Sequence, residues 1–363
     1  MPRDTRKNLV VVSAILICLG IVMIYSSSSI YAWQRLSDPF YFLKRHLFYV
    51  LLGLLSGLFA MSMDYQILKK YSKPIVLFSL LMLVLVLIPG ISREIAGARR
   101  WFRFLGYSFQ PSEFAQLAVI IYTASFLSRD DKNIKDLFSG FAPMMMVLGL
   151  FVLLILAQPD LGTAVSLCVV VFVMLFIGGI RLSHLLAVFL LSLPVLYLLI
   201  FSVSYRKRRI ISFLNPWMDP QGIGFQLVQS QIALGSGGIF GVGLGQGRQK
   251  LFYLPAAHTD FIFSIIGEEL GLIGTLAIVI LFILFIWSAA KIAMKTSEGF
   301  GHYLSVGIIA LIAFKAVVNI GVSIGSLPTK GLPLPFVSYG GTSLVFNMIS
   351  LGLLLNISKS REV

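Results

Sequence analysis

Asp260 closes the segment Leu254-Pro255-Ala256-Ala257-His258-Thr259-Asp260, and an apolar run follows at once. Pro and Thr ahead of such a run signal a helix start, which places Asp260 in or beside a first turn at the rim of an apolar span. A carboxylate there either caps the helix or acts as a general base facing a polar loop. His258 is a rival base, because an unperturbed imidazole titrates nearer neutrality. Upstream, seven glycines fall within the thirteen residues 235–247, followed by Arg248 and Lys250. Glycine lets backbone N–H groups approach an anion, and the flanking cations would neutralise it. A re-entrant turn with close helix packing explains the same composition. The spacing is not Gly-x-Gly-x-x-Gly and no Walker sequence occurs, so neither dinucleotide binding nor nucleotide-driven transport is expected.

A second group of candidates lies inside apolar stretches: Glu113, Asp160, Glu268, Glu269 and Lys315. Ionisable groups in a membrane are costly, so each is either functional or paired with another as structural glue. Asp160 sits in Gln158-Pro159-Asp160-Leu161-Gly162-Thr163, where Pro and Gly interrupt two apolar segments and leave backbone groups needing partners, which favours a structural role. The connection Leu327–Gly341 holds too much Pro and Gly for a helix and carries one cation, Lys330.

The elements that must position these residues follow from composition. Of 363 residues 58% are hydrophobic and 12% charged, about half the charge of an ordinary soluble domain. At roughly 20 apolar residues per crossing this supports about ten spans and excludes a large soluble catalytic domain. Candidate helices lie near 9–28, 46–63, 74–90, 111–128, 138–157, 162–179, 182–203, 261–290, 301–322 and 341–357. The expected fold is an all-α integral membrane protein, a single polytopic domain over 1–363. The first span is expected to be a signal anchor, since no Ala-x-Ala cleavage site accompanies it. Cys18 and Cys168 lie in apolar runs without disulfide or zinc spacing.

Cations divide evenly, 14 on the segments between spans on one side and 14 on the other, with Lys315 inside the ninth helix. The cations abutting the first span set the N-terminus inside, and ten spans return the C-terminus inside. The longest break, Arg206–Asp260, then lies outside between helices 7 and 8, with six cations against Asp219 and Asp260. Cations are normally depleted there, so either an anion is handled on that face or the charge only solvates the loops.

Six motifs carry a resemblance. Gly97-Ala98-Arg99-Arg100-Trp101, Gln110-Pro111-Ser112-Glu113, Gln158–Thr163, Gln229-Ser230-Gln231-Ile232-Ala233-Leu234-Gly235-Ser236-Gly237-Gly238, Leu254-Pro255 with His258-Thr259-Asp260-Phe261, and Pro335-Phe336-Val337-Ser338-Tyr339-Gly340-Gly341 stand in order along nearly the whole chain. Together they resemble the SEDS family, the RodA and FtsW proteins. Pro328-Thr329-Lys330-Gly331 and Glu268-Glu269-Leu270-Gly271 look more like the division-type FtsW branch than the elongation-type RodA branch.

The resemblance implies an inverting glycosyltransferase that polymerises lipid II on the outer face of the bacterial cytoplasmic membrane. Asp260 falls on the family's catalytic aspartate, and Arg45, Glu113, Asp160 and Lys330 on other important positions. Arg45, Lys330, Arg248 and His258 are the expected substrate-binding residues. The family usually has lysine three residues after the glutamate of Gln-Pro-Ser-Glu. Here that residue is Gln116, which removes a neighbouring partner from Glu113. Mg²⁺ or Mn²⁺ could assist the pyrophosphate, although no all-protein metal cage is legible. The implied partners are lipid II, a class B penicillin-binding protein and other division or elongation proteins; no nucleic acid is expected. Two readings without glycosyl transfer stand against this: a lipid II flippase, and a scaffold that recruits a transpeptidase. Clustering of polar features on one face and the lack of obvious repeat symmetry between halves weigh against the flippase.

Overall fold

The computed structural model describes residues 3–95, 98–104, 106–129, 136–251 and 253–359. Gly97 of the first motif, Lys132 and Lys135, which are expected on the inner side, and the C-terminal Ser360–Val363 lie outside them. Helices α1 (Arg3–Leu36), α2 (Tyr41–Ser62), α3 (Gln66–Lys70), α4 (Ser72–Leu85), α5 (Pro111–Leu127), α6 (Ala142–Ala157), α7 (Leu161–Ile177), α8 (Leu182–Phe201), α9 (Ser204–Leu214), α10 (Phe225–Ser236), α11 (Ile262–Lys295), α12 (Gly299–Ser323) and α13 (Gly341–Lys359) follow in order. All but α3, α9 and α10 coincide with the ten expected spans. Six of them, α1, α2, α8, α11, α12 and α13, are each long and apolar enough to cross a membrane. The chain is a multi-pass membrane protein.

The bundle packs around α5, which is buried along nearly its whole length. On one side α2 and α13 meet backbone to backbone: a Cβ at Gly352 would lie 2.2 Å from the carbonyl oxygen of Gly57. Small residues permit this approach where lipid supplies no hydrophobic drive between helices. At the periphery α8 is 6% buried over its most apolar window and presents leucines to lipid.

Three features depart from a purely helical reading. Helix α1 runs 34 residues, about 51 Å, well beyond the apolar core at 9–28. Its serines stay helical by donating to the chain, as Ser28 does to the Ile24 carbonyl at 2.6 Å. Between α4 and α5 stands a three-stranded antiparallel sheet, β1 (Arg93–Ile95), β2 (Ala98–Phe104) and β3 (Tyr107–Phe109). The segment 206–260, expected on the outer side, is itself built, carrying most of α9 and all of α10. Helix α9 carries both basic and apolar residues, and its last residue Leu214 and, beyond it, Trp217 and Met218 are exposed, as suits a helix lying in the membrane interface.

Helix α11 breaks at Gly271, whose φ of 68° no side chain adopts comfortably. The glycine-rich run repairs the break. Val242 and Gly243 N–H donate to the carbonyls of Glu268 and Glu269, each at 3.0 Å, and Leu272 N–H donates to Gly238 at 2.9 Å. Only glycine fits, since a Cβ at Gly237 would lie 1.9 Å from the Gly267 carbonyl oxygen. The run is therefore a re-entrant turn docked on a broken helix, where neighbouring backbone replaces the missing hydrogen bonds.

Candidate functional site

Asp260 lines a cavity of about 430 Å³ together with Asp160, Lys330, Arg209 and Arg100. Its apolar wall includes Val165 of α7 and Leu196 of α8, so it opens beside the lipid-facing helix. Chain segments far apart in sequence converge here because each is pinned. Arg100 donates to the carbonyls of Gln158 and Pro159 at 2.9 and 2.6 Å, fastening β2 to the turn before α7. Asp160 caps α7, accepting from Thr163 N–H at 3.2 Å and from the Thr163 hydroxyl at 2.8 Å. Arg209 donates to the Thr329 carbonyl at 2.9 Å, tying α9 to the Lys330 loop.

The backbone at Asp260 is held from below. Asn319, 1% exposed within α12, donates to the carbonyls of Asp260 and Leu332, both at 2.9 Å. One amide thus fixes the segment bearing Asp260 and the loop bearing Lys330. Gly331 leaves the carboxylate its room, since a Cβ there would stand 3.3 Å from Asp260 Oδ2. Gly331→Ala is expected to displace the carboxylate by a few tenths of an ångström and lower turnover several-fold. Parental abundance and thermal midpoint beside the lower rate would check this, because misplacement of a reacting group is costly without loss of fold.

Burial pushes the Asp260 carboxyl up to about 6, against the opposing pull of the Arg209 guanidinium. A carboxylate so placed is a better proton acceptor at neutral pH than an ordinary aspartate. Burial pulls His258 down to about 4. Its ring packs against Phe42 at 4.6 Å, Tyr339 at 5.7 Å and Tyr31 at 6.1 Å. Of the two rival bases, Asp260 is the more basic and alone lines the cavity. Burial also pulls the Lys330 ammonium down from its ordinary value.

The remaining candidates lie elsewhere. Arg45 sits near the start of α2, donating to the Tyr41 hydroxyl at 2.6 Å and to the Gly106 carbonyl. Arg248 is exposed and does not line the cavity; its backbone N–H donates to Glu268 Oε1 at 2.7 Å. The glycine-rich run cradles anions, but these are the protein's own carboxylates. Gly245 N–H donates to Glu269 Oε2 at 3.1 Å, and Lys250 pairs with Glu269 at 2.6 Å, joined by Ser26 of α1. The expectation that Gln116 deprives Glu113 of a partner is corrected: Lys315 of α12 reaches it at 2.6 Å. Gln116 donates instead to the Ser166 hydroxyl at 3.0 Å.

Arg209, Arg100 and Asn319 were not among the site candidates read from sequence. An asparagine inside an apolar helix is a readable signal, because its amide must find partners away from water. Arg209 was hidden in a run of four cations, of which only helical phase selects one.

The donor set does not fit a divalent ion. Among the described residues no three His, Cys, Asp or Glu side chains cluster to hold one. In the cavity one carboxylate is spent on a helix cap and three cations stand beside the other.

The family model described as "cell cycle protein", covering FtsW, RodA and SpoVE, matches residues 6–363. The chain belongs to the SEDS family. Among curated relatives of this SEDS chain, the probable peptidoglycan glycosyltransferase FtsW of Geobacter metallireducens is 46% identical over 355 residues, 97% of this chain and 95% of the relative. Stage V sporulation protein E of Bacillus subtilis is 43% identical, over 97% of this chain and 96% of the relative. Solved structures agree. A chain from a peptidoglycan synthase complex that coordinates polymerization and crosslinking superposes with a TM-score of 0.79 at 30% identity, over 97% of each chain. Thermus thermophilus rod shape determining protein RodA gives 0.72 at 29%, over 98% of this chain and 97% of that one.

Proposed function

We propose that this protein is an inverting peptidoglycan glycosyltransferase that polymerises lipid II at the outer face of a bacterial cytoplasmic membrane, with both termini inside. The observation that carries this is one cavity in which a basic carboxylate, Asp260, stands with Lys330, Arg209 and Arg100 beside a lipid-facing helix. Lipid II needs each part: an apolar path for its polyprenyl tail, cations for its pyrophosphate and a base for a sugar hydroxyl.

In the reaction, Asp260 accepts the proton of the GlcNAc C4 hydroxyl of the acceptor lipid II as that oxygen attacks the anomeric carbon of the lipid-linked growing glycan. The C1–O bond breaks, its electron pair leaves with the pyrophosphate, and a β-(1,4) link forms with inversion. A single carboxylate suffices, because pyrophosphate needs charge neutralisation more than protonation, and fixed cations supply this without reorganisation. No step is routed through a metal, since the donor set does not fit one. Glu113 and Asp160 are structural, the first as half of an ion pair and the second as a cap.

The similarity to FtsW proteins and to a chain of a synthase complex supports a role in division and a class B penicillin-binding protein as partner. Purified full-length protein given labelled lipid II in detergent, with and without that partner, is expected to yield glycan polymer. Movement of lipid II in vesicles with no polymer under either condition would instead establish the transporter reading.

A further inference from the structure

Between α1, α2 and α13 lies an apolar crevice of about 260 Å³. Its one polar side chain, Ser13, turns its hydroxyl onto the Leu9 carbonyl of its own helix at 2.7 Å, so the lining offers only hydrocarbon. Gly53, Gly57 and Gly352, whose missing side chains let α2 and α13 close on each other, leave this space beside α1. On α1 the crevice runs from Val10 to Ile17, about 10 Å of helix. That is less than the roughly 15 Å of hydrocarbon in one leaflet.

At the Val10 end the crevice opens into a wider pocket of about 880 Å³, which shares Val10, Met61 and Leu355 with it and is also lined by Asp4, Arg6 and Lys7. Lys359 of α13 stands at this mouth, its ammonium donating to the Met61 carbonyl at 3.3 Å. Among the described residues, three cations thus gather there around one acid. Towards the other end of α1, Tyr31 packs on His258, roughly 36 Å along the helix from Lys7. The cationic mouth therefore lies across the membrane from the Asp260 cavity.

We propose that this crevice and its mouth form a site for one anionic glycerophospholipid of the leaflet that faces away from Asp260. Such a site exists whether or not Asp260 transfers a sugar. An acyl chain fills the crevice, which is narrow and ends within one leaflet. A membrane helix, about 10 Å across and running the full thickness, does not fit it. The phosphodiester sits among Arg6, Lys7 and Lys359, since a basic pocket between helices at the membrane rim attracts acidic headgroups. The excess of cations favours a phosphatidylglycerol head over a zwitterionic one, whose own ammonium they repel. Asp4 is left to accept from the hydroxyls of the glycerol head.

Full-length protein, stripped of lipid in detergent and titrated with phosphatidylglycerol under native mass spectrometry, is expected to retain one such lipid. It should hold it about tenfold more tightly than phosphatidylethanolamine of the same chains, as suits a charge-selected headgroup. Lys7→Gln/Lys359→Gln should weaken binding about thirtyfold, two cations being lost from contact with an acidic lipid. Ala14→Trp fills the crevice from an exposed position of α1. It should abolish the retained lipid while keeping the thermal midpoint measured before lipid is added. Lys69→Gln/Lys70→Gln is the control, because these exposed lysines follow α2 at the same end, line neither pocket and carry the same charge. Equal weakening in that control would reveal general attraction to a basic surface and overturn the site, as would equal affinity for the two lipids. Phosphatidylglycerol binding untouched by Ala14→Trp overturns it too, and loss of partner co-purification from that variant would then give the crevice to a partner's helix.

Discussion

Glycan synthesis by the Asp260→Asn protein should fall about 10²–10⁴-fold below the parent, the usual cost of losing a general base. The amide keeps the size of the side chain, and the contact from Asn319 is to the Asp260 backbone carbonyl, so folding and partner co-purification should survive. With the carboxyl raised to about 6 by burial, the parent's rate should climb with pH through that value, since only the ionised form accepts a proton. The rising limb should vanish from the residual activity of Asp260→Asn. His258→Gln should cost less, because that ring is held at about 4 by burial and packs among aromatics. A folded Asp260→Asn protein that still makes strands near the parental rate would sink the assignment. Equal loss in His258→Gln would count against Asp260 as the sole base.

The ten spans were legible because a bilayer demands about 20 apolar residues per crossing, and few other constraints produce that pattern. Helix length was not, since lipid thickness sets the apolar run while hydrogen bonding sets the helix: α1 continues through serines and a basic end that no hydropathy window includes. The strands of β2 and β3 escaped for a similar reason, their aromatic and cationic residues reading as an outer loop. Asp260 and Lys330 were found and do share a cavity. Of the two readings of the glycine-rich run, the turn with close helix packing describes the fold, and its N–H groups are taken up by carboxylates of the protein itself. Composition could not reveal that the anions are Glu268 and Glu269, because those carboxylates reach it only through the break at Gly271. The partner of Glu113 was missed because the sequence offers neighbours at i+3 and i+4, whereas Lys315 arrives from another helix 202 positions away.

That interhelical pair is expected to carry a large stability effect. Glu113 and Lys315 have side chains 5% and 1% exposed, with Nζ 2.6 Å from Oε2. Replacing Lys315 with Met leaves a carboxylate uncompensated where water cannot reach it, a change that typically costs about 3–5 kcal/mol. The expected result is a large fall in thermal midpoint by gel filtration in detergent, and reduced membrane abundance. Activity should fall with it, because Asn319 lies one turn further along the same face of α12 and holds the Asp260 carbonyl. Glu113→Gln/Lys315→Met removes both charges and should recover most of the loss, since a buried pair contributes little net while half of one costs much. A second rescue is specific to this sequence. Gln116→Lys places an ammonium one turn from Glu113 on α5, at the spacing where helical neighbours meet, so Gln116→Lys/Lys315→Met should be more stable than Lys315→Met alone. A Lys315→Met protein as stable as the parent would show that Glu113 is neutral or solvated and that the pair does not hold α5 to α12.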